Sequence, residues 1–143
     1  MLKTRLLQPD ILAALGRSGH GSRVLIADGN YPFSTGSPPT AEKVFLNLMP
    51  GVVKVTDVLK ALVETIPIEA AAAMTPPDGA PQPIHAEFRE ILPNGIELEE
   101  LKRFEYYEKA RSADTALVVA TGEERRFANL LLTIGVVKRD AAR

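Results

Sequence analysis

Apolar and polar positions alternate in short runs along this chain, and the runs predict helices and strands that follow one another in turn. Pro9 suits a first helical position, Ile11, Leu12 and Leu15 recur on one face, and Gly19 is placed to end that helix in a left-handed conformation. Arg23–Ala27 (RVLIA) is an apolar run with two β-branched residues and predicts a buried strand closed by Asp28. GNYPFSTGSPPT is too rich in Gly, Pro and Ser for regular structure, so it predicts a loop leaving a strand's carboxyl end, where open α/β sheets hold ligands. Residues 43–48 predict a further strand. Thr56 or Asp57 then caps a helix patterned by Val55, Val58, Leu59, Leu62 and Val63 that ends near Pro67.

Ile68–Met74 is Ala-rich, and its periodicity fits a strand or a small buried helix equally well. TPPDGAPQP is a surface loop, residues 84–92 a helix, and residues 101–113 a helix after an extended piece, with Phe104, Tyr107 and Ala110 sharing a face. Residues 116–120 (ALVVA) predict a strand, and FANLLLTIGVV is an apolar run in which a buried Asn129 amide needs a partner. Strands and helices in this order predict an α/β fold: one layered domain over residues 1–143, with a mainly parallel central sheet flanked by helices.

Composition narrows the function classes. The chain has 143 residues, enough for one core without a metal or disulfide to support it, and it contains no Cys. That excludes thiol nucleophiles and thiolate metal sites and fits a reducing compartment, so a cytoplasmic location is expected. Lys plus Arg is 17 against 18 for Asp plus Glu, Trp is absent and aromatics are 6%, so no basic stripe or stacking platform predicts nucleic-acid binding. No run has the length of a membrane span, and no signal peptide is expected. GxGxxG, GxxxxGK[ST] and GxSxG are all missing, which removes the motif support for dinucleotide, P-loop and serine-hydrolase chemistry. Two distant His make a poor metal site.

The remaining candidates are few. His20 lies between glycines after the first helix, eight residues ahead of Asp28; it is either a proton carrier near neutral pH or a cap on the helix's last carbonyls. The two residues stand at opposite ends of one strand and so need not touch, unless the fold or a neighbouring subunit brings them to one cavity. Asp28 either serves a site or opens a turn. Arg103 is a sugar or carboxylate clamp or an ordinary exposed charge, and Tyr106 and Tyr107 divide between packing and presenting a hydroxyl. Asn129 can donate and accept toward a polyhydroxylated ligand or satisfy nearby backbone. His85, at a helix start beside a Pro-rich loop, is expected to be exposed and without function.

Three segments, LKTRLLQPDILAALGRSGHGSRVLIADGNYP, RFEYYEKA and ALVVATGEERRFANLLLTIGV, together resemble the RbsD/FucU family of sugar-anomer isomerases, which includes D-ribose pyranase and L-fucose mutarotase. RFEYYEKA, with Arg103, resembles the fucose branch more. The resemblance implies an RbsD-like α/β subunit in a ring-shaped homo-oligomer, often a decamer, with each monosaccharide pocket near a subunit interface and no cofactor or metal. It implies His20 as the catalytic histidine, Asp28 as the site aspartate, and Arg103 and Asn129 as holders of sugar hydroxyls. Where the family commonly has Tyr, this chain has Phe127 in RFAN, one phenolic hydroxyl fewer; Tyr31 and Tyr107 are the candidates to replace it. The implied activity is interconversion of the α and β anomers of an aldose, with L-fucose first. Pyranose–furanose interconversion of D-ribose is the alternative, and Phe127 favours a third reading, a sugar-binding domain without catalysis.

Overall fold

The computed structural model describes residues 1–139, and along them helix α1 (Pro9–Arg17) leads into strand β1 (Arg23–Ala27), as the apolar pattern predicts. Pro9 takes the first helical turn, where its missing N–H costs nothing, and the Gln8 side chain accepts from the Ile11 amide at 2.7 Å. The predicted stop is corrected: the helix closes at Ser18 in extended backbone, and the left-handed glycine is Gly21, φ 86°, not Gly19. Strand β2 (Glu42–Phe45) is shorter than predicted. Helix α2 (Val55–Val63) is capped at Lys54 rather than at Thr56 or Asp57; the Asp57 carboxylate instead accepts from the Lys54 amide at 3.0 Å. It stops at Val63, before Pro67, with the Ile66 amide bonded back to the Leu62 carbonyl at 3.0 Å.

The ambiguous Ala-rich run is strand β3 (Ile68–Met74), whose small side chains suit a strand buried among neighbours. Helix α3 (Pro83–Ile91), strand β4 (Leu98–Leu101), helix α4 (Arg103–Arg111), strand β5 (Thr115–Ala120) and strand β6 (Leu130–Ile134) complete the order. The predicted face of α4 is corrected: Tyr106 and Ala110, one turn apart, are buried, whereas Phe104 is 82% exposed and Tyr107 half-buried.

One six-stranded sheet runs β2-β5-β1-β6-β3-β4. Strands β2, β5 and β1 are mutually parallel, β3 and β4 are parallel, and β6 alone runs antiparallel to both of its neighbours, β1 and β3. Alternation along β1 feeds two cores: Val24 and Ile26 pack with residues of α1, α2 and α3 on one face, while Leu25 and Ala27 pack with Tyr31 and the Tyr106 of α4 on the other. Each fully buried Leu or Ile contributes about 1.5–3 kcal/mol, so the central strands anchor the sheet and leave its ends to carry polar groups. Because β6 is reversed, its first residue, Leu130, pairs with Ile26 near the end of β1. The chain leaving β1 and the chain entering β6 therefore meet at one end of the sheet. No helix of the described residues is long and apolar enough to cross a membrane.

Candidate functional site

Asp28 stands where β1 ends, 3% exposed. Its backbone N–H donates to Asn129 Oδ1 at 2.7 Å, which gives the buried Asn129 amide the partner it requires. Its own Oδ1 accepts from the Asn30 amide at 3.0 Å and so fixes the turn that follows. Burial raises the Asp28 carboxyl above its ordinary value; the N–H groups of Asn30, Ala128 and Tyr31 pull it back in part, and the nearby Glu123 charge adds to the rise.

A cavity of about 370 Å³ opens beside this carboxylate, and Tyr31, Arg103, Tyr107, Phe127 and Asn129 all line it. It lies at the carboxyl ends of β1 and β3, the position that open α/β sheets reserve for ligands. Tyr31 and Tyr107 stack with centroids 5.4 Å apart and planes 21° apart. The guanidinium of Arg111 lies 5.1 Å from the Tyr107 ring and that of Arg103 5.9 Å, so the aromatic wall carries positive charge along its rim. The Tyr31 hydroxyl donates to the Gly36 carbonyl at 2.6 Å, and burial pushes it above the usual phenol range. Phe127 brings a half-buried ring on backbone with φ 56°.

Six of the seven candidate residues thus meet in one cavity; His20 does not. It sits at the amino end of β1, with its side chain 60% exposed and its Nε2 2.9 Å from Glu69 near the start of β3. The five residues of β1 separate it from Asp28, roughly 17 Å of extended chain.

His85 is corrected too: it is 1% exposed, and its Nε2 lies 2.8 Å from the Phe127 carbonyl, directly behind the cavity wall. The helical spacing of Ile84, His85 and Phe88 on one apolar face was the available signal. Met74 and Pro77 also line the cavity, brought there by the sheet order that sets β3 beside β6, and Arg126 arrives with its chain neighbour Phe127.

A second hollow, of about 450 Å³, lies across the Asn30 turn between Asn47, Gly122 and Glu124. Its buried acid, Glu123, is already engaged: Arg125 holds both carboxylate oxygens, through Nε at 2.9 Å and Nη2 at 3.0 Å, and also reaches Glu87. Burial works to raise the Glu123 carboxyl, but the hydrogen bonds and charge of Arg125, with the Val55 amide, outweigh it and hold the group below its usual value. This acid is engaged within the fold, whereas the Asp28 carboxylate lines an open cavity. Among the described residues no group of three or more His, Asp or Glu side chains is arranged to hold a metal ion.

Comparison with known proteins identifies the fold and the family. The chain is 31% identical to the fucose mutarotase of Homo sapiens over 145 residues, covering 92% of this chain and 90% of that one. It is 32% identical to the D-ribose pyranase of Paracidovorax citrulli over 139 residues, covering 95% and 98%. The structure of Bacillus subtilis RbsD complexed with D-ribose superposes with a TM-score of 0.81 at 29% identity, over 96% of this chain and all of the other. Fucose and ribose relatives match about equally well, so the expected leaning toward the fucose branch is not what the identities favour. Residues 1–137 match the RbsD / FucU transport protein family, and the chain belongs to that family.

Proposed function

We propose that the protein interconverts the anomers of an aldose in the cavity around Asp28. The observation that carries this reading is a buried carboxylate of raised pKa, held in place by the bond from its own backbone N–H to Asn129 and lining, together with Arg103, a cavity of monosaccharide size. The reaction moves protons and one C–O bond. A base takes the proton of the anomeric hydroxyl, that electron pair becomes the aldehyde C=O, and the bond from C1 to the ring oxygen breaks as the ring oxygen is protonated. Rotation about C1–C2 and reclosure, with acid and base exchanged, gives the other anomer. No electron or carried group changes hands, so the step needs no redox or group-transfer cofactor.

His20 handles the proton at one oxygen, and Asp28 orients the sugar or binds adjacent hydroxyls. Arg103 and Asn129 hold the remaining hydroxyls, while Tyr31, Tyr107 and Phe127 form the apolar wall; placement rather than covalent attack supplies the rate gain. Since His20 and Asp28 stand at opposite ends of β1, the pocket is completed by His20 of a second copy in a ring-shaped homo-oligomer. Among sugars, D-ribose comes first, supported by the match over 98% of the pyranase's length. L-fucose is the second reading, favoured by Arg103 in RFEYYEKA.

The test is magnetization exchange between the α and β signals of D-ribose, then L-fucose, with His20→Ala as control. Faster exchange that is lost in the variant is the expected result. A folded protein that binds either sugar without speeding its exchange is a binding module, and the catalytic reading falls.

A further inference from the structure

We infer that His85 is a positioning residue for the cavity: its imidazole holds the Phe127 peptide in the left-handed conformation that aims the chain from Phe127 to Asn129 at Asp28. Among the described residues, Phe127 is the only one other than glycine with positive φ. An aromatic side chain is uncommon there, because Cβ crowds the following carbonyl at a cost of about 1–2 kcal/mol, so the conformation persists only where its surroundings enforce it. The enforcing contact comes from the opposite face of the sheet. His85 projects from α3, stacks on Phe88 with centroids 6.0 Å apart, and reaches the Phe127 carbonyl with Nε2 at 2.8 Å. A carbonyl only accepts, so Nε2 carries the hydrogen. Nδ1 lies 3.3 Å from Glu100, whose same oxygen takes Arg89 Nη2 at 3.1 Å, while the Phe88 ring packs against the imidazole and limits its rotation.

The consequences for the cavity lie one and two residues on. With the Phe127 peptide fixed, the Ala128 N–H faces the Asp28 carboxylate and the Asn129 side chain accepts from the Asp28 N–H. Letting Phe127 relax to negative φ turns the next amide and the Phe127 ring together. One buried imidazole therefore sets both the electrostatics of Asp28 and the part of the aromatic wall that Phe127 supplies. The activity part of this inference rests on the anomer-exchange reading; the backbone clamp does not.

The experiment compares His85→Gln, whose amide nitrogen reaches the place of Nε2, with His85→Asn, whose amide stops at the place of Nδ1. Expected for H85Q is sugar exchange within about threefold of wild type, and for H85N a loss of about tenfold or more in kcat with a smaller change in KM. Equal losses in the two variants, or H85N within about twofold of wild type, overturn the inference. Melting temperatures of H85N, Phe127→Gly and the double variant form the second arm, because glycine adopts positive φ without a clamp. A drop of several degrees for H85N that shrinks by about half or more in the glycine background is expected; equal drops in both backgrounds overturn the clamp. Should the wild type speed exchange of neither sugar, the proposed function falls and the melting cycle alone decides the clamp.

Discussion

The Asp28 backbone N–H and the Asn129 side chain are joined by a 2.7 Å hydrogen bond, buried at both ends, that ties the exit of β1 to the entrance of β6. Replacing Asn129 with Ala strands that N–H without an acceptor, at a cost of about 1–3 kcal/mol and several degrees of melting temperature. Asn129→Asp keeps the acceptor and so most of the stability, but sets a second carboxylate beside Asp28 and moves the acid limb of the exchange profile upward. Thermal melts and exchange rates against pH on the two variants check both halves.

Asp28 itself is a cost to the fold at neutral pH. Its folded pKa is raised above 3.8, so its contribution to stability is fully present below that value and is lost as pH rises through the folded pKa. Asp28→Asn is therefore expected to melt no lower than wild type at pH 7, while exchange falls by about a hundredfold or more. A variant clearly less stable at pH 7 contradicts this account of the buried carboxylate.

If each pocket takes Asp28 from one copy and His20 from another, two dead variants complement. His20→Ala and Asp28→Asn, dissociated together and reassembled in equal amounts, are expected to recover about a quarter of wild-type exchange per site. Recovery absent from a mixture shown by mass to contain mixed oligomers places His20 outside the pocket.

Arg125 holds a buried acid, and removing it leaves Glu123 charged and 3% exposed. Arg125→Ala is expected to cost about 1–3 kcal/mol at pH 7, less than breaking a fully buried pair because the arginine is itself partly solvated. The folded pKa of Glu123 is depressed, so this contribution is present above the ordinary 4.5 and lost as pH falls through the folded value. The difference in melting temperature between wild type and R125A therefore narrows in acid.

Much of this architecture was legible in the chain. Pro9, the RVLIA run and the ALVVA run declared their elements because each carries a local signal, either a fixed φ or an apolar run of strand length. The same kind of local signal marks Asp28 as the close of β1 and the Gly-rich stretch after it as a loop. The misses share one cause, which is that burial is decided by partners distant in sequence. Tyr106 rather than Phe104 turns inward because α4 packs on β3, and no pattern within RFEYYEKA records that. His85 has the sequence context of a surface residue because its partner is a backbone carbonyl 42 positions away. The Ala-rich run was undecidable until β4 and β6 lay on either side of it. His20 shows the limit of spacing itself: eight residues that include a strand separate side chains, where eight in a loop can unite them.

The reversal of β6 also orders events during synthesis. Until Leu130–Ile134 emerge, the strands already made fall into two slabs, β2-β5-β1 and β3-β4, and the facing edges of β1 and β3 expose unpaired backbone groups. The strand that joins them is the latest of the six to leave the ribosome, and it inserts in the middle rather than adding at a margin. The sheet is therefore continuous only once β6 is in place. Until then β1 and β3 each present an unpaired edge, the kind of surface through which one chain adds to another.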